Sequence, residues 1–220
     1  PYLGLLKSVL GYVDTENYTY GELFNEINAN TGGINCGVEV FDRADSTEEF
    51  QAMFSVRGKA LYTKMDFLFK MIGEILNSSK LEDTKRLYEI VASVKSRAQV
   101  NLTGAGHSTA VLRAAAYSSP MAAFQDEMAG IGYYQFIEKL EKDFEQRKEE
   151  TVEELCKLMK KILRPENFMI SYTGERESLE TVQKLAGAVK AGLGTEPVEK
   201  SEEKLTCTKK NEGFKTSGQV

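Results

Sequence analysis

The sequence predicts an α+β fold, with a small, mainly antiparallel sheet and helices packed on one of its faces. Three observations predict it. A helical apolar stripe opens the chain, in Leu3, Leu6, Val9, Leu10 and Val13. Two alternating segments, 34–40 and 50–57, follow close together, and an antiparallel pair is the default for such neighbours. From Thr63 onward the apolar period turns helical for more than a hundred residues.

The elements follow in order. Thr19-Tyr20-Gly21-Glu22 has the form of a capping box, in which the hydroxyl accepts a free N–H and the carboxylate reaches back. The helix it starts places Leu23, Phe24 and Ile27 inward and stops at Thr31-Gly32-Gly33, where glycine can take a left-handed cap. Ile34-Asn35-Cys36-Gly37-Val38-Glu39-Val40 alternates as a strand. Asp42 to Ser46 is a turn, and Phe50, Ala52, Phe54 and Val56 form the buried face of a second strand, with Met53 on its polar side. Met65, Leu68, Phe69, Ile72, Ile75 and Leu76 make one helical stripe, which Asn77-Ser78-Ser79 ends. Leu87, Ile90, Val91, Val94 and Ala98 make the next. Lys85, Arg86, Lys95 and Arg97 lie on or near its wet side and read as a solvated face.

Asn101 to Ser108 breaks the helices. Gly104-Ala105-Gly106 lacks a preceding strand and a third glycine, so it is not a phosphate loop. Ala110 to Tyr117 is small and apolar, fit for close helix packing, and Ser119-Pro120 punctuates it; another apolar helix with Met121, Phe124 and Met128 leads to Gly130-Ile131-Gly132. Tyr133, Tyr134 and Phe136 line a peptide groove or form a core seam, and their helical spacing favours the seam. The charged helical stretch 137–163 is expected to split at a cap, Thr151-Val152-Glu153-Glu154, and Pro165 closes it. Phe168 to Gly174, apolar on both faces, is expected as a third and central strand. A last amphipathic helix, 177–193, has Leu179, Val182, Leu185, Ala186 and Val189 inward.

Beyond Gly194 apolar periodicity stops. The expected organisation is one α+β domain over 1–194, a linker over 195–213, and the start of a further strand over 214–220. A length of 220 residues and a hydrophobic share of 41% suffice for a sizeable core. A net charge of −5, without basic residues interleaved with aromatics, argues against a nucleic-acid partner. No apolar run is long enough to span a bilayer, and no signal- or transit-peptide pattern occurs. The three cysteines, Cys36, Cys156 and Cys207, share no metal or redox spacing, and a reducing compartment is the simplest reading. His107 is the single histidine. Without Cys or carboxylate partners at ligand spacing it reads as a structural, N-cap-like residue. The three N-glycosylation triplets, at Asn17, Asn77 and Asn101, carry no weight without evidence of secretion.

Several words of this sequence, in this order, resemble the pitrilysin/insulinase family of zinc metallopeptidases, and its presequence-protease branch in particular. They are Pro1-Tyr2-Leu3-Gly4-Leu5-Leu6, Gly11-Tyr12-Val13-Asp14-Thr15, Tyr18-Thr19-Tyr20, Glu22-Leu23 and Thr31-Gly32-Gly33, with Gly106-His107 and Phe168 to Gly174 as later support. The resemblance covers nearly the whole chain. It implies a protein of two halves, each with two related α/β domains. The catalytic half would carry an inverted motif, H-x-x-E-H, in which two His hold zinc and the Glu is general base. At the equivalent positions stand Tyr2, Leu5 and Leu6, and a later Glu ligand falls near Ser93. None of these residues can do those jobs.

The resemblance therefore implies a fragment of the non-catalytic half, a domain of zinc-peptidase shape without the metal motif. It carries no catalytic, cofactor-binding or metal-binding residue of its own, and the zinc sits in the other half of the parent enzyme. A strand before Pro1 would belong to the domain as well. The expected role is a chamber wall that binds unfolded peptides, with other domains of the same chain as partners and no membrane contact. The bacterial cytoplasm or an organelle matrix is the expected place. The alternative is a non-peptidase interaction module of the same fold, like the core subunits of a respiratory complex. An intact H-x-x-E-H half upstream of Pro1 would decide for the peptidase.

Overall fold

The helix that opens the chain is the centre of its core. The computed structural model describes residues 1–198, 205 and 207–215, with all their side chains but those of Thr47 and Glu48. In α1 (Tyr2–Val9), Leu5, Leu6 and Val9 are fully buried, and Leu10 and Val13 follow them inward. Gly4 permits this depth. A Cβ there would stand 2.8 Å from the Tyr133 ring and 2.9 Å from the Met128 carbonyl, closer than real contacts allow.

The capping box forms at the head of α2 (Tyr20–Asn30). Thr19 Oγ1 accepts from Glu22 N at 3.3 Å, and Thr19 N donates to the Glu22 carboxylate at 2.9 Å. The Thr19 contacts hold the Glu22 carboxyl below its ordinary pKa. Leu23 and Ile27 face the core as expected, but Phe24 is 55% exposed. Gly33, at φ +107°, makes the turn out of the helix.

β1 (Ile34–Arg43) and β2 (Ser46–Gly58) form an antiparallel hairpin, paired from Ile34 with Gly58 through Val38 with Phe54 to Asp42 with Phe50. An irregularity falls at Asp42 and Arg43, beside the turn. Ile34, Cys36, Phe54 and Val56 share one face and pack on the helical core. The opposite face is polar, with Arg57 paired to Glu39 at 2.6 Å and Ser55 donating to Glu39 at 3.2 Å. The helices thus lie on one face of a two-stranded sheet.

After a single 3-10 turn come α3 (Met65–Ser78) and α4 (Thr84–Gly104). The break expected over 101–108 narrows to Ala105, because α5 (Gly106–Ala115) starts at once. α6 (Pro120–Ala129) begins at the Ser119-Pro120 break, with Ser119 accepting from Ala122 N and Pro120 in the first turn. Phe124 of α6 meets Phe50 of β2 with ring centres 5.3 Å apart. α7 (Ile131–Lys142) follows Gly130 directly.

Two expectations fail here. The charged stretch breaks at Asp143, and α8 (Phe144–Ile162) then runs unbroken through Thr151. Thr151 is fully buried and its hydroxyl donates to the Arg147 carbonyl at 2.7 Å. A hydroxyl bonded one turn back within its own helix has no need of a helix start. The second failure is the central strand. Phe168 to Gly174 forms no strand, and Met169 and Ile170 are 69% and 43% exposed. Phe168 packs against the core, whereas among the described residues no neighbouring strand takes up the backbone of the segment. α9 (Leu179–Ala191), the last helix among the described residues, packs against α3, with Val182, Ala186 and Val189 buried and Leu179 turned out.

Candidate functional site

The first place to test is the N-terminal helix, where the family motif would stand. Leu5 and Leu6 have no exposure at all and lie among core side chains from α3, α4, α7 and α8. Tyr2 turns instead to α8. Its ring meets Phe136 edge-on at 5.0 Å, and its hydroxyl lies 3.1 Å from Arg147 Nη2 and 3.4 Å from Glu150. Burial raises the Tyr2 pKa, while the paired Arg147 lowers that of Glu150. Ser93 lies near Ser8 and Tyr12, at the other end of α1. The donor set does not fit zinc: two aliphatic side chains offer no lone pair, and the nearby carboxylate is taken by an arginine. Among the described residues no group of three or more His, Cys, Asp or Glu could hold a metal ion.

His107 differs from expectation. It is the second residue of α5 and exposed, and the N-cap is Ala105, with no side-chain cap. The Gly106-His107 words do mark a helix start, but the imidazole makes no hydrogen bond with any described residue. A His107→Ala variant should therefore melt within about 2 °C of wild type. A drop of more than about 5 °C by circular dichroism would mean that the imidazole supports the fold after all. Cys36, Cys156 and Cys207 are all free thiols. Burial pushes the Cys36 thiol up to about 12 and raises Cys156, so neither is a ready nucleophile at neutral pH. Of the tyrosine pair, Tyr133 is in the core, as its spacing favours, and Tyr134 donates to Glu138 at 2.9 Å.

What the structure does offer is a groove. An open cavity of about 620 Å³ runs along 33–39, the first half of β1. Its other wall is the end of α1, with Lys7, Ser8, Gly11 and Tyr12, and the side of α2, with Phe24 and Asn28. Arg97 of α4 also lines it. Among the described residues β1 pairs with β2 alone, so one edge of β1 presents its main chain to this groove. The exposed ring of Phe24 lies here, which is why its inward helical position does not reach the core. Lys7 donates to the Met128 carbonyl at 3.3 Å, and its burial lowers the ammonium pKa. Sequence reasoning took Arg97 as a wet-face residue and missed Lys7. Five elements, α3 through Ile75 among them, line this groove, and no local spacing signals their meeting.

Comparison with known proteins places the chain. The family described as associated with M16 peptidases of subfamily C matches residues 1–140. The chain belongs to this family. Protein HypA of Clostridium perfringens is 32% identical over 220 residues, all of this chain and 22% of that protein. The mitochondrial presequence protease of Yarrowia lipolytica is 30% identical over 147 residues, which is 67% of this chain and 15% of that protein. Presequence protease 1 of Arabidopsis thaliana is 25% identical over 184 residues, 84% of this chain and 17% of that protein. The chain spans about a fifth of the length of these relatives. It is thus a helix-rich, peptidase-associated domain, related to presequence proteases. Among its described residues no helix is long and apolar enough to cross a membrane.

Proposed function

We propose that this chain is the first domain of the non-catalytic half of a presequence-protease-like zinc metallopeptidase, and that it forms a peptide-binding wall of the enzyme's chamber. The domain spans 1–194 in this reading. A linker covers 195–213, of which 199–204 and 206 lie outside the described residues. The next domain begins over 214–220, where 216–220 lie outside them too. The chain itself supplies no catalytic or metal-binding residue, and zinc belongs to the other half of the parent, in a bacterial cytoplasm or an organelle matrix.

The observation that carries this reading is the groove along the open edge of β1. An extended peptide can add there as a strand, with main-chain hydrogen bonds giving affinity and a mixed lining, polar in Ser8, Asn28 and Arg97 and apolar in Phe24, sorting side chains. Burial of Leu5 and Leu6 at the motif positions supports a binding role over a chemical one.

The test is a titration of the isotope-labelled chain with an unstructured casein-derived peptide in zinc-containing buffer. Amide shifts should concentrate on 33–39 and the peptide should stay intact. Shifts elsewhere, no binding at millimolar peptide, or cleavage of the peptide would each overturn the reading.

A further inference from the structure

A cluster of charged side chains lies away from the groove, on the corner of α5, α6 and α7. Its centre is Arg113 of α5, whose side chain is only 13% exposed. The guanidinium holds two carboxylates on separate edges. Nη1 donates to Asp126 Oδ2 at 2.5 Å, and Nε donates to Glu212 Oε1 at 2.6 Å. Asp126 is itself 1% exposed and accepts from the first two amides of α7, Ile131 N at 3.0 Å and Gly132 N at 3.1 Å. Glu212 comes from far along the chain. It also accepts from the Tyr117 hydroxyl at 2.6 Å, and two residues later the Phe214 ring lies 5.8 Å from the Arg113 guanidinium carbon.

We propose that α5 and α6 form a docking seat for the acidic–aromatic segment Asn211-Glu212-Gly213-Phe214, with Arg113 as the bridge that ties this segment to the start of α7. The sequence reading of 195–213 as a polar linker does not foresee such a seat. The segment has no helix or strand to hold it, so its place depends on these contacts. The two hydrogen bonds of Glu212 are of a strong kind, charge-assisted and short, and one comes from a guanidinium already desolvated and fixed by Asp126, while the Phe214 ring adds a weaker contact. Without Glu212, Arg113 keeps one carboxylate partner, so the seat exists whether or not the segment is in it. The segment can therefore leave and return without unfolding the helices. Whatever follows residue 215 leaves the domain from one fixed corner while the segment is seated.

The ionisable groups facing the carboxylate are Arg113, Tyr117 and Lys210. The Arg113 and Tyr117 hydrogen bonds together hold Glu212 at about 2. A depressed carboxyl stabilises the docked state fully above its ordinary pKa, and that contribution is lost progressively as pH falls from there to about 2. The seat is thus a lock at any physiological pH, and salt rather than acid is the condition that loosens it.

The experiment follows tryptic cleavage after Lys210 by mass spectrometry. It compares the chain, its Glu212→Gln and Phe214→Ala variants, and a free peptide of residues 207–215. The wild-type bond should be cut at least about tenfold more slowly than the free peptide, since cleavage needs the segment unseated. Glu212→Gln should recover most of that factor and Phe214→Ala part of it, each with unchanged helical circular dichroism. Equal rates for wild type and free peptide would overturn the seat. So would a Glu212→Gln rate equal to that of wild type, or a loss of helicity in that variant, which would make the contact part of the fold and not a separable docking.

Discussion

Writing the missing motif into α1, as Tyr2→His, Leu5→Glu and Leu6→His together, should abolish folding and create no zinc site. Leu5 and Leu6 are the floor of the core, both with zero exposure. Losing each leucine side chain costs about 2–5 kcal/mol by itself. A carboxylate at position 5 would lie among aliphatic side chains without a partner, which costs several kcal/mol more. A domain of this kind has about 5–15 kcal/mol to lose. Zinc binding cannot offset this, because the third ligand position near Ser93 lies by Ser8 and Tyr12, at the other end of α1. Thermal unfolding should show no cooperative transition for the triple variant. Tyr2→His alone should fold, since Tyr2 is at the rim, where its hydroxyl meets only Arg147 at 3.1 Å and Glu150 at 3.4 Å. A folded triple variant holding one zinc per chain by metal analysis would refute the account of α1 as a purely structural helix.

The second large effect is expected at Asp126. Asp126→Ala should lower stability by about 3–5 kcal/mol, roughly 10 °C or more in melting temperature. Three losses combine there. Arg113 loses the partner that makes its burial tolerable, two amides at the start of α7 lose their acceptor, and the corner of α6 and α7 loses its brace. The close approach at Gly130, where an added Cβ would run into the Asp126 side chain, shows how tightly the carboxylate is wrapped. Urea unfolding of the variant measures the effect. A change below about 1 kcal/mol would mean that Glu212 or solvent takes over the guanidinium at no cost, which the geometry argues against. Glu212→Gln is expected to leave global stability nearly intact, so the two carboxylates on one arginine separate cleanly: one braces the fold, the other docks a segment.

The sequence by itself determined the features that depend on neighbours a few residues apart. Thr19 and Glu22 announce their capping box because both partners lie within one turn. The hairpin follows from two alternating segments with a short turn between them. Those readings rest on backbone geometry and residue chemistry that local sequence carries whole. The tertiary structure decided everything that needed a distant partner. Phe168 to Gly174 has the composition of a central strand, yet a strand exists only where another backbone completes its hydrogen bonds, and composition does not say where that backbone is. Thr151 looked like a cap until its hydroxyl turned back on its own helix. Phe24 looked buried until β1 and α1 left a groove in front of it. Arg113 and Glu212 stand 99 residues apart. Nothing in either neighbourhood marks them as a pair, because a charge finds its partner through the packing of helices that bring it out of water, and that packing is a property of the whole chain.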